Sequence, residues 1–515
     1  MTKSIRAAGL VMLLASPTLV SLQGCTDLTE TPVSAITPEN FYRNEGEVLS
    51  GVVSVYAEMR NTLNAYYNVT QVSSDENIVP TRGTDWYDNG RWLELHRQTW
   101  EANSSSGLDD LNGAWNNLFT GVARANVVLN ALENVNVANE AVMEAELKTL
   151  RAFFYYLLMD MFGGVPIVTT TEIIARPQNT RAEVFAFVES ELLEAIEVLP
   201  DKWPAAMNGR ITKGGAEAIL ASIYLNAQVF TGTVTTAGLQ PGAAKWQEAV
   251  TVADRILNSG NYSLASDFRS NFTADNHLSP ELILVVKHLN AEGLGLTFLQ
   301  RALHYTQLTS APWNGFATIA ETYNAFDDAD QRKQIFLAGR QFSLEDGAPV
   351  NDRSGAPLFF NPDLGDITQA TEGAGVRIAK WPNDPAHAAE HQGNDFAYFR
   401  LGEILLIKAE ALNELGQTAA AVALVNQLRA RVFEPDKPLN AGSFNQASFR
   451  DQILRERLFE LTSEAKRRQD LVRHGKFLLP WSFKPSKAGE GYRILMPIPQ
   501  SQLATNPLLT QNPGY

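Results

Sequence analysis

The chain predicts a mainly α-helical fold made of paired helices, on three observations. Apolar residues recur at helical spacing through most of its length. Capping and stop signals bracket those runs. The runs come in neighbouring pairs of the size that stacks into tetratricopeptide-like (TPR-like) arrays, although the ~34-residue period of that repeat is not kept. A chain of 515 residues is too long for one ordinary core, so one large helical array, or two or three subdomains, is expected. Stacked pairs bury their apolar faces against one another and form a rigid curved wall.

At the amino end, Lys3 and Arg6 precede Ala7 to Leu22, which are apolar or small and carry no charge. That run is shorter than the ~20 apolar residues of a spanning helix, and it predicts a secretory signal peptide over residues 1–24. It closes on Leu22-Gln23-Gly24-Cys25, which resembles a bacterial lipobox, where a small residue precedes a cysteine that becomes lipid-modified. Gln23 departs from the small or β-branched residue usual there. Cys25 is the only cysteine; lipidation at Cys25 is expected, with a free loop thiol as the other reading. Residues 25–36 are polar and suit a tether. No other stretch holds ~18 consecutive apolar residues, so the chain is expected to be anchored and not to span.

Residues 37–515 are expected to form a single domain. Thr37-Pro38-Glu39 gives a cap with proline at the first helical position and predicts a helix to about Thr62. A second helix is predicted from about Asp110 to Leu132, with Leu111, Trp115, Leu118, Val122, Ala125 and Leu129 on one stripe. A third runs from about Glu140 to Phe162 and is stopped by Gly163-Gly164-Val165-Pro166. Thr180 to Glu183 is a capping box opening a helix to Leu199. Further helices are predicted from Thr212 to about Phe230 and from Ala243 to Asn258. Asp395–Leu415 and Thr418–Arg431 form a pair across Gly416-Gln417, and one long helix covers about Ser448 to His474. Between these blocks lie irregular, aromatic-bearing segments at about 71–107, 260–316 and 337–393. Leu282 to Val286 is a plausible short strand there. Loops this long in a folded protein are functional or disordered, and their aromatic content argues for function.

Composition excludes several classes. Hydrophobic residues at 45% and charged residues at 19% describe a folded chain. The 57 acidic against 42 basic residues leave a net charge of −15, which argues against nucleic acid as a partner, since phosphate contacts need clustered Lys and Arg. One cysteine excludes a disulfide scaffold and multi-cysteine zinc or iron–sulfur sites. His387 and His391 have the spacing of helical metal ligands, but Pro385 and Gly393 flank them and no third ligand is evident; solvated loop histidines are expected. The Asp and Asn residues of 85–90 lack the glycine placement and closing Glu of an EF-hand, so a calcium site has no support. No metal site and no cofactor is expected, and no Walker loop, nucleophile elbow or Rossmann fingerprint occurs. Glu456, Glu460 and Glu464 repeat at spacings of four, and Arg457, Arg467 and Arg468 can pair with Glu460 and Glu464 at helical spacing. A structural ion-pair network is the expected outcome, so no catalytic residue is assigned. A glycosidase would need two carboxylates across a cleft ~5–9.5 Å wide.

A set of ordered blocks resembles the RagB/SusD family of nutrient-uptake outer-membrane lipoproteins. They are Ser74-Asp75-Glu76-Asn77 with Gly83-Thr84-Asp85-Trp86-Tyr87-Asp88, Trp115-Asn116-Asn117-Leu118-Phe119, and Arg151-Ala152-Phe153-Phe154-Tyr155-Tyr156 running into Gly163-Gly164-Val165-Pro166. Gly209-Arg210-Ile211-Thr212, Asp395-Phe396-Ala397-Tyr398-Phe399-Arg400, Arg468-Gln469-Asp470-Leu471, Met496-Pro497-Ile498-Pro499 and Asn512-Pro513-Gly514-Tyr515 complete them. Each block is weak alone; their order, after a lipobox, is specific. The resemblance implies a SusD-like fold, with a TPR-like helical scaffold and a loop-rich ligand-binding face. It implies a lipid anchor in the outer membrane, with the protein facing the cell exterior. It also implies capture of a glycan or oligosaccharide for a SusC-like TonB-dependent transporter, without catalysis.

A sugar ring has one apolar face and a rim of hydroxyls, so a site for it wants an open aromatic platform beside Asp, Asn, Gln or Arg. Asp75, Asn77, Arg82, Trp86, Tyr87 and Trp92 have that makeup and fall in the region of the family's ligand face. The competing reading is that Trp86 and Trp92 pack their loop onto the scaffold. Tyr305, after His304, and Trp313, before Asn314, form a second candidate in a segment where the family often places binding aromatics. Trp115 lies on an apolar helix stripe and is read as core, while Trp381 is left open. Two other functions stay open, a glycoside hydrolase on a helical scaffold and a TPR-like envelope adaptor without a small ligand.

Overall fold

The computed structural model describes residues 41–515. The expected signal peptide, Cys25, the tether and the Thr37-Pro38 cap lie outside the described residues. The first helix given in full, α1 (Glu45–Asn61), is capped by Asn44, whose side chain accepts the Glu47 N–H. The chain continues into α2 (Ala65–Val72) and the short α3 (Arg91–Arg97). It then builds α4 (Asn112–Leu132), α5 (Glu140–Phe162), α6 (Arg181–Ile196), α7 (Lys213–Leu225) and α8 (Trp246–Asn258). The sequence signals act as expected. The Thr180–Glu183 capping box is formed, Thr212 caps α7 through the Gly215 N–H, and Gly163 ends α5 at φ 75°.

Helices pack in sequence order. α4 lies against α1 and α5, α5 against α6, α6 against α7, and α7 against α8. α8 then meets α9 (Leu401–Glu414), which packs on α10 (Thr418–Ala430) and α11 (Gln446–Leu461). α5 is buried without a break from Thr149 to Phe162. It is the central post of the wall, packed by α1, α4, α6 and α7, and its buried charges are paired, Arg151 with Glu191 and Asp160 with Arg468.

Helix boundaries differ from expectation at four places. Residues 42–44 break the helix expected to run to Thr62, and α1 starts at Glu45. The helix expected from Thr212 to about Phe230 stops at Leu225, before a separate turn at Ala227–Phe230. Residues Phe396–Arg400 form a strand, β2, and not the start of a helix; β2 pairs antiparallel with β1 (Leu282–Val286), the strand read from sequence. All five β2 residues are buried. Aromatics on both faces favour a strand packed on two sides over a helix with one buried stripe. The long helix at 448–474 is two: α11 ends at Leu461 and α12 spans Arg467–Arg473. Ser463 and Ala465 between them sit at φ 65° and 59°, a left-handed turn that periodicity cannot reveal.

The kink changes the ion pairs. Glu456, Glu460 and Glu464 are buried in a network as expected, but their partners come from elsewhere: Arg332, Lys380, Arg400, Arg429 and Arg431. Arg457, Arg467 and Arg468 turn instead to Asp470, Asp75 and Asp160. Burial alone would raise the Glu460 carboxyl; Arg431, Arg400 and Arg332 hold it well below the usual carboxylate range.

The irregular segments are tied to one another by single bridges, Ile78 to Ala317 and Thr318 to Val376, over a small core of Ile78, Leu93, Ile319, Leu364 and Ile367. Arg82 joins all three segments: its guanidinium donates to the carbonyls of Asn314, Thr371 and Ala374.

Candidate functional site

On this bridged layer four of the expected rings come to one rim. Trp86 is half-buried, and its indole N–H donates to the Trp313 carbonyl at 2.7 Å. Its edges meet Trp92 at 5.5 Å and Phe316 at 5.9 Å. Trp86 adopts φ 62°, an uncommon conformation for a bulky residue. Gly315 lets the ring approach, since a Cβ there would lie 2.3 Å from it. Tyr87 stands 58% exposed beside it. Trp313 and Tyr305 are half-buried.

A polar strip runs along the rings. The Tyr305 hydroxyl donates to Asp85 at 2.5 Å. Arg353 lies over the Tyr305 ring at 4.5 Å, and it pairs with Asp85 at 3.3 Å and with Glu372. His304 Nε2 is 2.9 Å from the Glu372 carboxylate. Burial and the Asp85 carboxylate push the Tyr305 hydroxyl up to about 12, so it remains a donor. Burial lowers His304 although Glu372 pulls it upward. Burial would raise Glu372, but the Arg353 N–H groups and His304 keep it low and ionised. The strip thus offers carboxylate acceptors and a cationic fork beside apolar ring faces.

The other four expected residues support the rim and do not line it. Trp92 is 2% exposed, and its N–H donates to Asp88 at 2.7 Å, so the packing reading of this tryptophan is the correct one. Arg82 is also buried, its fork spent on carbonyls. Both Asp75 carboxylate oxygens accept from Arg467 at 2.7 Å. Asn77 is buried 3.1 Å from the Gln71 side chain. Asp75, Asn77 and Arg82 lie on the chain between α2 and α3 and Trp92 near the start of α3, and packing this stretch onto the core takes their polar groups inward with it.

Arg353 and Glu372 are brought to the rim by the third irregular segment and carry no sequence signal, because they pair across 19 positions of irregular chain and their other partners, Asp85 and His304, lie in other segments. Trp115 is core, as read from its stripe, and Trp381 is buried with its N–H on the Asp395 carbonyl. His387 and His391 go to different partners, the Ala389 carbonyl and the Gly293 N–H. Among the described residues no helix is long and apolar enough to cross a membrane.

Comparison with known proteins gives consistent matches. The model of the SusD family covers residues 217–515, and a model described as starch-binding, associating with the outer membrane, covers residues 39–225. A SusD-like protein of Formosa agariphila is 25% identical, over 95% of this chain and 96% of that one. The starch-binding protein SusD of Bacteroides thetaiotaomicron is 25% identical, over 87% of this chain and 85% of its own. A solved laminarin-binding SusD-like protein superposes with a TM-score of 0.73 at 25% identity, covering 92% of this chain and all of that one. The surface glycan-binding protein A of Bacteroides thetaiotaomicron, in complex with laminarihexaose, gives a TM-score of 0.69 at 20% identity, over 91% and 99%.

Proposed function

The chain belongs to the SusD family, and on that premise we propose that it captures a glycan or oligosaccharide on the rim of Trp86, Tyr87, Tyr305 and Trp313 and passes it to a SusC-like TonB-dependent transporter. The observation that carries the reading is the joining of ring faces to Asp85, Arg353 and Glu372. Rings cover the apolar face of a sugar, and the charged groups answer its hydroxyls. The relatives named for starch and laminarin binding support glycan as the class.

Binding is proposed to be non-catalytic. Glu372 pairs with Arg353 and is held low, so it is not left as a protonated acid to serve a leaving group. The first 24 residues and Cys25 support export and a lipid anchor in the outer membrane, with the domain facing the cell exterior. Acyl chains contribute roughly 0.8 kcal/mol per buried methylene, so several hold a protein to a bilayer.

The test is affinity electrophoresis in gels carrying laminarin, starch or other polysaccharides. Tyr87→Ala is expected to reduce retardation at least severalfold with unchanged thermal unfolding, and Trp313→Ala to reduce it further. Both variants migrating like the parent on a retarding glycan would remove the rim as the site. Release of reducing ends by the purified protein would replace capture with hydrolysis. Absence of acyl label on the protein expressed in a Gram-negative host, with Cys25→Ala as control, would remove the anchor.

A further inference from the structure

Away from the rim, a cavity of about 360 Å³ opens between the end of α1 and the chain around residues 288–301, with His391 on its wall. Three arginines line it: Arg60, Arg124 and Arg301. Arg124 pairs with Glu58 at 2.9 Å. Among the described residues no carboxylate lies within 4 Å of Arg60 or Arg301, and no Asp or Glu lines the cavity.

Arg301 is the unusual member. It is 91% buried by its 9% exposure, and its fork meets only neutral acceptors, the side-chain oxygens of Asn64 at 2.8 Å and Asn68 at 3.3 Å. Arg60 donates to a single carbonyl, that of Lys287, at 3.4 Å. His391 Nε2 accepts the Gly293 N–H, which places the ring's proton on Nδ1, and that buried nitrogen has no partner. The wall therefore holds two guanidinium groups without a matching anion, in a molecule whose net charge is −15. A buried guanidinium without a counter-charge is costly. Burial takes Arg301 down to about 10, which still leaves it charged at neutral pH. The C-terminal carbonyls of α1 oppose an anion here, but the dipole's half-charge is outweighed by two full positive charges.

We propose that this cavity binds the anionic group of an acidic saccharide, a carboxylate or a sulfate ester. Arg60 and Arg301 would supply the charge. The proposal rests on the glycan-capture reading for its ligand class, and it adds that the captured glycan is acidic. A phosphate or carboxylate held by a guanidinium fork is the general precedent for such recognition.

The test is calorimetric titration of the purified protein with four probes: trigalacturonate, its full methyl ester, a sulfated galactan tetrasaccharide and the same tetrasaccharide desulfated. At least one acidic probe is expected to bind tenfold or more tightly than its uncharged counterpart, and the preference is expected to shrink with added salt. Which pair shows it tells carboxylate from sulfate. Arg60→Gln, at the half-exposed position, is expected to abolish the preference with thermal unfolding unchanged. Equal affinities within both pairs, or a preference that survives Arg60→Gln, would overturn the proposal. Laminarihexaose titrated into the same proteins separates the two readings. Neutral binding lost in Trp313→Ala with no acid preference anywhere overturns the cavity alone. An acid preference that depends on Arg60 and survives Trp313→Ala supports the cavity and removes the rim.

Discussion

At the residue scale, Gly315 and Glu76 each make a position-specific demand. Gly315 is the floor under Trp86, and a methyl group there would sit inside the ring. Gly315→Ala is therefore expected to displace Trp86, weaken glycan retardation and cost about 1–3 kcal/mol by overpacking. Denaturant titration and affinity gels on the same sample read both effects. Glu76 is buried, and burial pushes its carboxyl up to about 8 against the pull of the Ser463 N–H and Arg467. Its folded value lies above its unfolded one, so between about pH 4.5 and 8 the folded state holds a proton the unfolded state has lost. Stability from this group is full below pH 4.5 and declines as pH rises to 8. The parent should lose on the order of 3 kcal/mol from pH 5 to pH 8 through Glu76, and Glu76→Gln should flatten that decline. Urea unfolding at the two pH values measures it; an unchanged slope in Glu76→Gln would mean the carboxyl is ionised in the fold.

At the element scale, the loop layer shows how irregular backbone is held without strands of useful length. Two-residue pairings and single bridges fix little alone. Arg82 supplies the rest by donating to carbonyls of neighbouring segments, and Arg377 by donating to the Glu372 and Ala374 carbonyls of its own segment and to the Asn314 side chain of another. One arginine fork can satisfy several carbonyls that no ladder reaches. Arg82→Met should remove three hydrogen bonds and leave the Asn314 carbonyl without a donor, so hydrogen exchange across residues 305–316 and 371–377 should accelerate at least tenfold while α4 and α5 keep their protection. Glycan retention should fall with it, because the Trp313 carbonyl and Tyr305 are carried by the loosened segment. Uniform acceleration throughout the protein would instead make Arg82 a determinant of global stability.

At the scale of the whole molecule, one buried ionic network joins the helical wall to the loop layer. Arg400, at the junction of β2 and α9, donates to Glu281 at 2.8 Å, to Glu460 at 2.7 Å and to Glu464 at 2.8 Å. Arg332 and Lys380 bring the loop layer to the same carboxylates. Replacing such a network by apolar groups can be neutral, whereas removing one partner strands the others. Arg400→Met is expected to cost about 3–5 kcal/mol in denaturant unfolding, with the loss largest where Glu460 and Glu464 are ionised. A value under 1 kcal/mol would show that the remaining cations compensate. The glutamate repeat on α11 was visible in the sequence, and so was its structural character. Its partners were not, because the left-handed turn at Ser463 and Ala465 redirects Arg467 and Arg468.

The sequence by itself determined the helices of the wall, their caps and stops, the strand at Leu282–Val286 and the ring-bearing segments. All of these are written in local periodicity, in residues with fixed backbone preferences, or in blocks that match a family. It could not separate Trp86 from Trp92, since both are tryptophans in one segment of irregular pattern; in the fold Trp92 lies on α3 and is buried, while Trp86 precedes the helix and stays half-buried. Nor could it bring Arg353 and Glu372 to the rim, or Arg60, Arg301 and His391 to one cavity. Those groups meet through contacts between distant segments, and the charge left unpaired there exists only once the chain has folded around it.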